Sequence, residues 1–267
     1  MAARAAPRTC LTAIALAFGA IGGVAQAQDS AAPDTPPHHA EPDNGTDPTR
    51  VRRSLTVDFE HLELRGGFTS DTLEAIWSEP LGSHTALNLT VPLPSVDVAG
   101  DNSFGFGDVE LQLTHIPVVT RHYGIVFKGE VAFDTASRPE LGTGNTVLEA
   151  TAIYARFLKG GSILAPSLEY DYGIERDAGR SRVNQATLDI YYVPRLKNRA
   201  YYMTLDPFVN ANFTTDEVSG GLLVTLGRVI GPALGGRLQA YVKPGLYVGT
   251  NRSANWGVEV GLKLLDF

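Results

Sequence analysis

The segment from residue 256 to residue 264 carries an apolar side chain at every second position. These side chains are Trp256, Val258, Val260, Leu262 and Leu264. Successive side chains of a β-strand point to opposite faces, so the segment predicts a strand with one apolar face and one face of small or charged residues. Such a strand must bury its apolar face in a core or present it to lipid. This requirement restricts the fold more than any other feature of the sequence.

The aromatic residue at the end of the chain, Phe267, does not keep this phase. Counting back from Phe267 by twos leads to Leu265 and Lys263, and therefore to the polar face of the strand. We predict a one-residue bulge or a loss of strand pairing near residues 264–265, which would return Phe267 to the apolar face. A terminal amphipathic strand that closes on an aromatic residue resembles the C-terminal signature of bacterial outer-membrane β-barrels. The resemblance implies that the barrel-assembly machinery recognises this strand as a partner.

Most of the chain after residue 52 consists of similar segments separated by turn residues, and no stretch has a convincing 3.6-residue period. The predicted strands are 53–64, 71–80, 84–94, 105–116, 122–134, 145–158, 163–175, 183–195, 202–213, 217–228, 236–249 and 254–265. Their lengths are near the ~9–11 residues that a tilted strand needs to cross a bilayer. The predicted fold class is all-β: an antiparallel transmembrane β-barrel of about twelve strands over residues 53–267.

The connections between the predicted strands alternate in length, except that residues 230–235 form a long inner turn and residues 214–216 a short outer one. Residues 81–83 and 159–162, on the predicted periplasmic side, are short, whereas residues 95–104 and 135–144, on the predicted extracellular side, are longer and richer in Gly, Asp and Asn. A soluble β-sandwich or a lipocalin-like barrel is the main alternative, because alternation alone does not say which face meets water. Strand length, loop alternation and the aromatic C-terminus favour the membrane barrel.

The first 27 residues have the pattern of a secretory signal peptide. Arg4 and Arg8 precede an apolar stretch over residues 11–24, and Ala25-Gln26-Ala27 is a small-residue cleavage site. The sequence therefore predicts cleavage after Ala27 and localisation in the bacterial outer membrane. The one cysteine of the chain lies in this segment, so the predicted mature chain has no disulfide, thiolate ligand or cysteine nucleophile.

Residues 28–52 are rich in proline and nearly free of apolar side chains, and the sequence predicts a disordered or extended linker there. His38 and His39 are adjacent, but they lack a spaced third ligand, so a solvated tail is favoured over a metal site. No cofactor and no metal is predicted. The formal net charge of −7 argues against a nucleic-acid partner, because phosphate binding requires clustered Lys and Arg.

Two glycine-based motifs lie in the first half of the predicted barrel. Gly105-Phe106-Gly107-Asp108 opens a strand, and Leu141-Gly142-Thr143-Gly144-Asn145 precedes another. With these motifs, residues 70–267 resemble the MetA-pathway phenol-degradation family of outer-membrane proteins. That family has a Leu-Pro-Thr-Gly-like loop between its two motifs, where this chain has residues 133–135 without the Pro and Gly. The resemblance implies an outer-membrane barrel that takes up small, often aromatic or hydrophobic compounds.

The two-residue alternation also assigns polar side chains to the predicted lumen. Charges inside a barrel form a structural network of ion pairs or line a pore that favours cations, and the sequence leaves both readings open. Twelve strands predict a narrow or occluded passage, since eight leave a filled interior and sixteen an open channel. The pore-lining candidates are Asp108, Glu110, Lys128, Glu130, Glu149, Glu169, Asp171, Asp189, Asp206, Arg237, Lys243 and Glu259, with Lys263 on the same face.

These features favour a narrow channel or transporter, with outer-membrane lipid and a small solute as partners. A structural or adhesive barrel without transport is the alternative. An outer-membrane hydrolase is the third class, and the sequence predicts no catalytic residue. Only the grouping of His61 with Ser70 or Asp71 suggests a nucleophile and a base, and no catalytic motif surrounds it.

Overall fold

A computed structural model describes residues 44–98, 101–250 and 252–267 of this chain. The regular elements are antiparallel strands with a single 3-10 turn over Pro139–Leu141. Within the described ranges, no helix is long and apolar enough to cross a bilayer. The strands are β1 (Ser54–Leu64), β2 (Thr69–Pro80), β3 (Thr85–Val98), β4 (Asp101–Phe104), β5 (Glu110–Val119), β6 (Tyr123–Ala132), β7 (Asn145–Phe157), β8 (Ile163–Arg176), β9 (Asn184–Val193), β10 (Tyr201–Asn212), β11 (Glu217–Ala233), β12 (Gly236–Gly249) and β13 (Ala254–Leu265).

The sheet closes on itself. Consecutive strands pair antiparallel around the sheet, and the first strand, β1, pairs with the last, β13, from Ser54 opposite Leu265 to Glu63 opposite Trp256. Leaving aside the short β4, twelve strands form the wall, so the predicted fold class is confirmed. Closure pairs both edges of the twelve-strand wall, and among the described strands only the short β4 keeps an unpaired edge.

The two ends of the barrel differ. The turn end, defined by Ser54, Leu265 and connections 81–84, 120–122, 158–162, 194–200 and 234–235, carries the start and the finish of the barrel chain. The loop end, defined by connections 65–68, 133–144, 177–183 and 213–216, is opposite. The predicted alternation in length holds only in part, because 194–200 is longer than 65–68 and 213–216.

Two connections differ from the sequence prediction. Residues 95–98 pair with residues 101–104, so the predicted loop over 95–104 contains a β-hairpin. At the turn end, β11 continues to Ala233, which pairs with Gly236. The predicted long turn over 230–235 is therefore a two-residue turn, with φ of 50° at Leu234 and 82° at Gly235. Positive φ at both central residues defines the tight hairpin turn whose twist matches that of paired strands.

The segment joining β4 to β5, residues 105–109, lacks regular strand pairing because the neighbouring strand β3 contains Pro92 and Pro94. Gly107 and Gly105 donate backbone hydrogen bonds to the carbonyl oxygens of these prolines, at 3.0 and 3.3 Å. Proline has no N–H with which to complete the ladder in return. This local loss of pairing releases residues 105–109 from regular strand geometry and lets the next side chain, Asp108, turn toward the loop end.

Apolar side chains cover the outside of the wall. Trp77, Leu89 and Leu113 are typical, with exposed fractions between 39% and 47% although they lie in the middle of regular strands. Burial alternates along β7, where Val147, Thr151 and Ala155 are buried and Leu148, Ala150 and Tyr154 are exposed. A wall that is apolar outside and polar inside is the arrangement of a transmembrane barrel rather than a soluble one.

The C-terminal register prediction is confirmed: strand pairing is lost directly after Leu265, and Phe267 lies on the outer face. Pairing of β13 with β1 is regular through Leu265, without a bulge at 264–265. The strand ends at Leu265, and the next residue, Asp266, has a left-handed φ of 57°. This reversal sends Phe267 to the outer face, where its ring packs edge-on against the outward-facing Trp77 with centroids 5.4 Å apart.

The predicted signal peptide, the His38-His39 pair and most of the predicted linker lie outside the described residues. Residues 44–52 of that linker are described, and they contain neither helix nor strand. They lie against the turn end of the barrel, where Thr49 is 6% exposed. A Cβ added to Gly124 would approach Thr49 Cγ2 to 2.5 Å, so this close contact requires glycine in β6. We call residues 44–53 the strap.

Candidate functional site

The middle of the lumen is lined by carboxylates. Strand alternation and burial place inside the barrel nearly every acidic residue predicted there, and add others from β1 and β2. The cations at the same level are Lys128 and Lys243. We call this the acidic belt, and its carboxylates are Asp58, Glu60, Glu74, Glu110, Glu130, Glu149, Glu169, Asp171, Asp189, Asp206 and Glu259.

On one side of the belt, a lysine and a tyrosine connect strands β1, β12 and β13. Lys243 forms a salt bridge with Glu259, its cross-strand partner. The Tyr241 hydroxyl donates to Glu259 at 2.5 Å and lies 3.4 Å from Asp58. The predicted structural network of charges is therefore present in this sector, across the seam where the barrel closes.

The opposite side of the belt holds more carboxylates than cations. Gln112 donates to Glu130 at 2.7 Å, and Gln185 donates to Asp171 at 2.8 Å. Carboxylate oxygens of Glu149, Glu169 and Asp171 all lie within 4.8 Å of one another. The amide donors satisfy some of the carboxylate oxygens but carry no charge, so acidic side chains outnumber basic ones in this sector.

Sequence reasoning missed Asp58, Glu60 and Glu74. The alternation of β1 was readable, since Val57 and Phe59 flank Asp58, but β2 has a poor two-residue period. The register supplies the assignment: Asp58 pairs with Glu74, and Glu60 pairs with Glu259. Cross-strand partners share a face, so the clear polar face of β13 could have identified Glu60 from the sequence once closure was assumed.

Asp108 has a different environment from the belt. Its Oδ1 accepts backbone hydrogen bonds from Thr135 at 3.2 Å and Ala136 at 3.1 Å. Its Oδ2 accepts from the Thr143 N–H at 2.8 Å and the Thr143 hydroxyl at 3.2 Å. We call this arrangement the Asp108 clamp. It joins the two glycine motifs, and residues 133–135 between them, at one carboxylate.

The clamp belongs to a larger set of contacts among the loops of the loop end. Asn145 is 1% exposed and donates from Nδ2 to the carbonyl oxygens of Thr143 and Ser181, at 3.0 and 3.1 Å. The Ser103 hydroxyl donates to Glu140 at 2.5 Å, and this bond holds the pKa of the Glu140 carboxyl below its usual value. The loop-end connections are therefore tied to the β3–β4 hairpin and to one another.

Arg237 also lies away from the belt. Its side chain reaches Asp266 at 3.4 Å, and Arg52 of the strap forms a salt bridge with the same carboxylate. Arg53 forms a second strap contact with Glu79 of β2, and the Glu79 carboxylate raises the pKa of the exposed Arg53 guanidinium. These ion pairs fasten the strap and the C-terminus to the turn end.

Buried inward side chains at the turn end of the barrel form what we call the packed layer. Ala155, Ile163, Ala165 and Val193 pack together within it, and most of its other members are apolar and almost fully buried. Tyr202 and Gln239 complete the layer, at 7% and 0% exposed. The remaining members are Ala86, Ile116, Val126, Ala155, Ile163, Ala165, Val193 and Leu265. The lumen is therefore lined by polar side chains at the level of the belt and by buried, mostly apolar side chains at the turn end.

The grouping considered for hydrolysis is only partly assembled. His61 Nδ1 lies 2.6 Å from Asp71 Oδ1, and the His61 ring packs against Trp256 with centroids 5.4 Å apart. Ser70 pairs with Leu62, one position away from His61, and so points to the opposite face of the wall. The histidine and the serine are not placed for proton transfer between them.

Comparison with solved structures shows the fold. An outer membrane channel from Pseudomonas putida F1 superimposes with a TM-score of 0.62 at 12% identity, over 85% of this chain and 100% of that one. The NanC porin gives 0.58 at 11% identity, over 80% and 100%. The KdgM porin gives 0.51 at 15% identity, over 79% and 99%. The architecture is therefore that of outer-membrane β-barrels.

Comparison of the sequence identifies no relative. No family model matches the chain, and no curated protein matches it. The resemblance to the MetA-pathway phenol-degradation family therefore stays a prediction. What the structure adds is that Asp108 of the first motif accepts hydrogen bonds from Thr143 of the second.

Proposed function

We propose that this protein is an outer-membrane channel whose acidic belt favours small cationic and neutral solutes over anions. The observation that carries the proposal is the excess of inward carboxylates over Lys128 and Lys243 at mid-lumen. Field lines are focused in a narrow lumen with low-dielectric walls, so fixed negative charge there raises the local cation concentration. Under this proposal the turn end faces the periplasm and the loop end faces the outside.

Two further parts of the molecule fit this function. The Asp108 clamp holds the loops at the proposed entrance, and the packed layer with the strap controls the proposed exit. The packed layer implies that conduction requires a rearrangement at the turn end, because its inward side chains leave almost no exposed surface. Small aromatic or hydrophobic compounds, the class implied by the family resemblance, are the proposed cargo. The folds of the neighbouring channels and porins support transport rather than hydrolysis.

Ion selectivity in planar bilayers tests the proposal. With a potassium chloride gradient, the reversal potential should indicate preference for potassium. Neutralising the crowded sector with Glu130→Gln, Glu149→Gln and Glu169→Gln should move the reversal potential toward zero. Glu175→Gln is the matched control, since Glu175 is exposed at the loop end of β8 and lies outside the belt. A preference for chloride, or equal effects of the belt and control variants, would overturn cation selectivity.

The packed layer favours a second candidate, a structural barrel that transports nothing. Solute flux into liposomes separates the two functions. Absence of flux and of conductance in the wild-type chain, and also in a variant with a loosened layer such as Ile116→Ala with Val126→Ala, would remove the channel and leave the structural barrel. Flux that appears only in the loosened variant would support a channel closed at rest.

A further inference from the structure

The turn end carries a cleft whose charge is opposite to that of the lumen. It has a volume of about 630 Å³ and lies between the strap and the connections 120–122, 158–162 and 194–200. Its basic side chains are Arg50, Arg121, Lys159, Arg195 and Arg199. Among the described residues that line it, Asp47 is the single acidic one. This concentration of positive charge is unexpected in a chain of formal net charge −7.

The walls of the cleft are organised by local contacts. Arg195 donates to the Gly160 carbonyl at 2.9 Å, and its own N–H donates to the Ser162 hydroxyl at 3.1 Å, so two connections are joined. On the strap, Asp47 accepts from the N–H and hydroxyl of Thr49 at 2.9 and 2.7 Å and lies 3.7 Å from Arg50. The basic groups are thus carried on elements that hold one another in place.

The floor of the cleft is apolar. Phe157, Ile163, Val193 and Tyr202 belong to the turn-end packed layer or pack against it, and they line the base of the cleft. A ligand with an apolar body would remove more of this surface from water than an inorganic anion could. A cleft of this size is within the usual range for small-molecule sites.

We propose that this basic cleft binds an amphiphilic anion, with a phosphate or carboxylate head on the basic side chains and an acyl or aromatic body on the apolar floor. Guanidinium groups match the geometry of both head groups, because each can donate two parallel hydrogen bonds to a phosphate or a carboxylate. Two sources have this chemistry: a phospholipid of the surrounding bilayer and a free organic acid. This cleft lies outside the acidic belt, and anion binding there does not depend on conduction through the lumen.

Binding to the purified full chain in neutral detergent tests the proposal. Calorimetry would compare 4-phenylbutyrate with uncharged 4-phenylbutanol and with inorganic phosphate. Native mass spectrometry would compare dioleoylphosphatidylglycerol with dioleoylphosphatidylcholine. We expect the anionic member of at least one pair to bind about tenfold or more tightly than its neutral or zwitterionic counterpart, and to weaken in 0.5 M sodium chloride. Preference for the lipid alone identifies the bilayer source, and preference for phenylbutyrate identifies a free acid.

A triple variant locates the site. Arg121→Gln, Lys159→Gln and Arg199→Gln together should weaken binding about tenfold or more, since each removes a charge from the cleft. Lys197→Gln is the matched control, because Lys197 lies in the same connection as Arg199 but does not line the cleft; its affinity should stay within about twofold. Equal binding of charged and neutral probes, or equal affinity of wild type and triple variant, overturns the proposal. If the triple variant does not fold, the wild-type measurements test the proposal: equal binding of charged and neutral probes, or binding that does not weaken in salt, overturns it.

Discussion

The hydrogen bonds of the Asp108 clamp determine how much local stability the loop over residues 133–144 should lose when this carboxylate is removed. Each oxygen of the 9%-exposed carboxylate accepts two hydrogen bonds, at 2.8–3.2 Å, from residues 27 to 35 positions away in sequence. At about 1 kcal/mol net for each bond, Asp108→Ala should cost the loop about 3–4 kcal/mol of local stability. Asp108→Asn keeps one accepting oxygen and should cost about half of that.

Hydrogen exchange over residues 133–144 measures this loss directly. The expected free energies correspond to exchange that is roughly 100-fold or more faster in Asp108→Ala and about 10- to 30-fold faster in Asp108→Asn. The thermal midpoint of the barrel should change little, because the clamp lies outside the strand ladder. Gly142→Ala should reproduce the effect, since its Cβ would lie 2.7 Å from Asp108 Oδ1 and 2.5 Å from Ala136 Cβ.

Asp134→Asn is the control for this experiment, because Asp134 is an exposed carboxylate of the same loop. Unchanged exchange over residues 133–144 in Asp108→Ala would refute the clamp. The same acceleration in Asp134→Asn would show that the effect comes from the charge of the loop rather than from the hydrogen bonds.

Three further changes test other parts of the structure. Ile116 belongs to the packed layer and is 1% exposed. Ile116→Ala should lower the free energy of unfolding in urea by about 2–5 kcal/mol and raise the conductance. Leu113→Ala, on the outer face, is the control and should leave the conductance unchanged. Leu234→Asn should stabilise the barrel by about 1 kcal/mol, because asparagine adopts positive φ more readily than leucine; a lower urea midpoint would contradict this. Phe267→Ala should cost about 0.5–1.5 kcal/mol and shift the fluorescence of Trp77 toward the red; an unchanged spectrum would contradict the ring contact.

The sequence by itself determined the barrel. Alternation such as that from Trp256 to Leu264 reports the two faces of a strand directly, because side-chain direction in a strand depends only on position along the chain. Strand length and loop alternation then determined the membrane-spanning architecture. The same rule placed Glu130, Glu149 and Glu169 in the lumen before any register was known.

Only the tertiary structure decided which residues each of these side chains contacts. The two-residue alternation predicts Asp108 among the belt residues. Because Pro92 and Pro94 of β3 have no N–H groups, the segment that contains Asp108 does not continue the strand ladder, and Asp108 bonds to residues distant in sequence instead. Phe267 returned to the outer face through a positive φ at Asp266, which no periodicity encodes. The strap, the packed layer and the basic cleft are likewise invisible in the sequence, because each depends on which connections meet when the barrel closes.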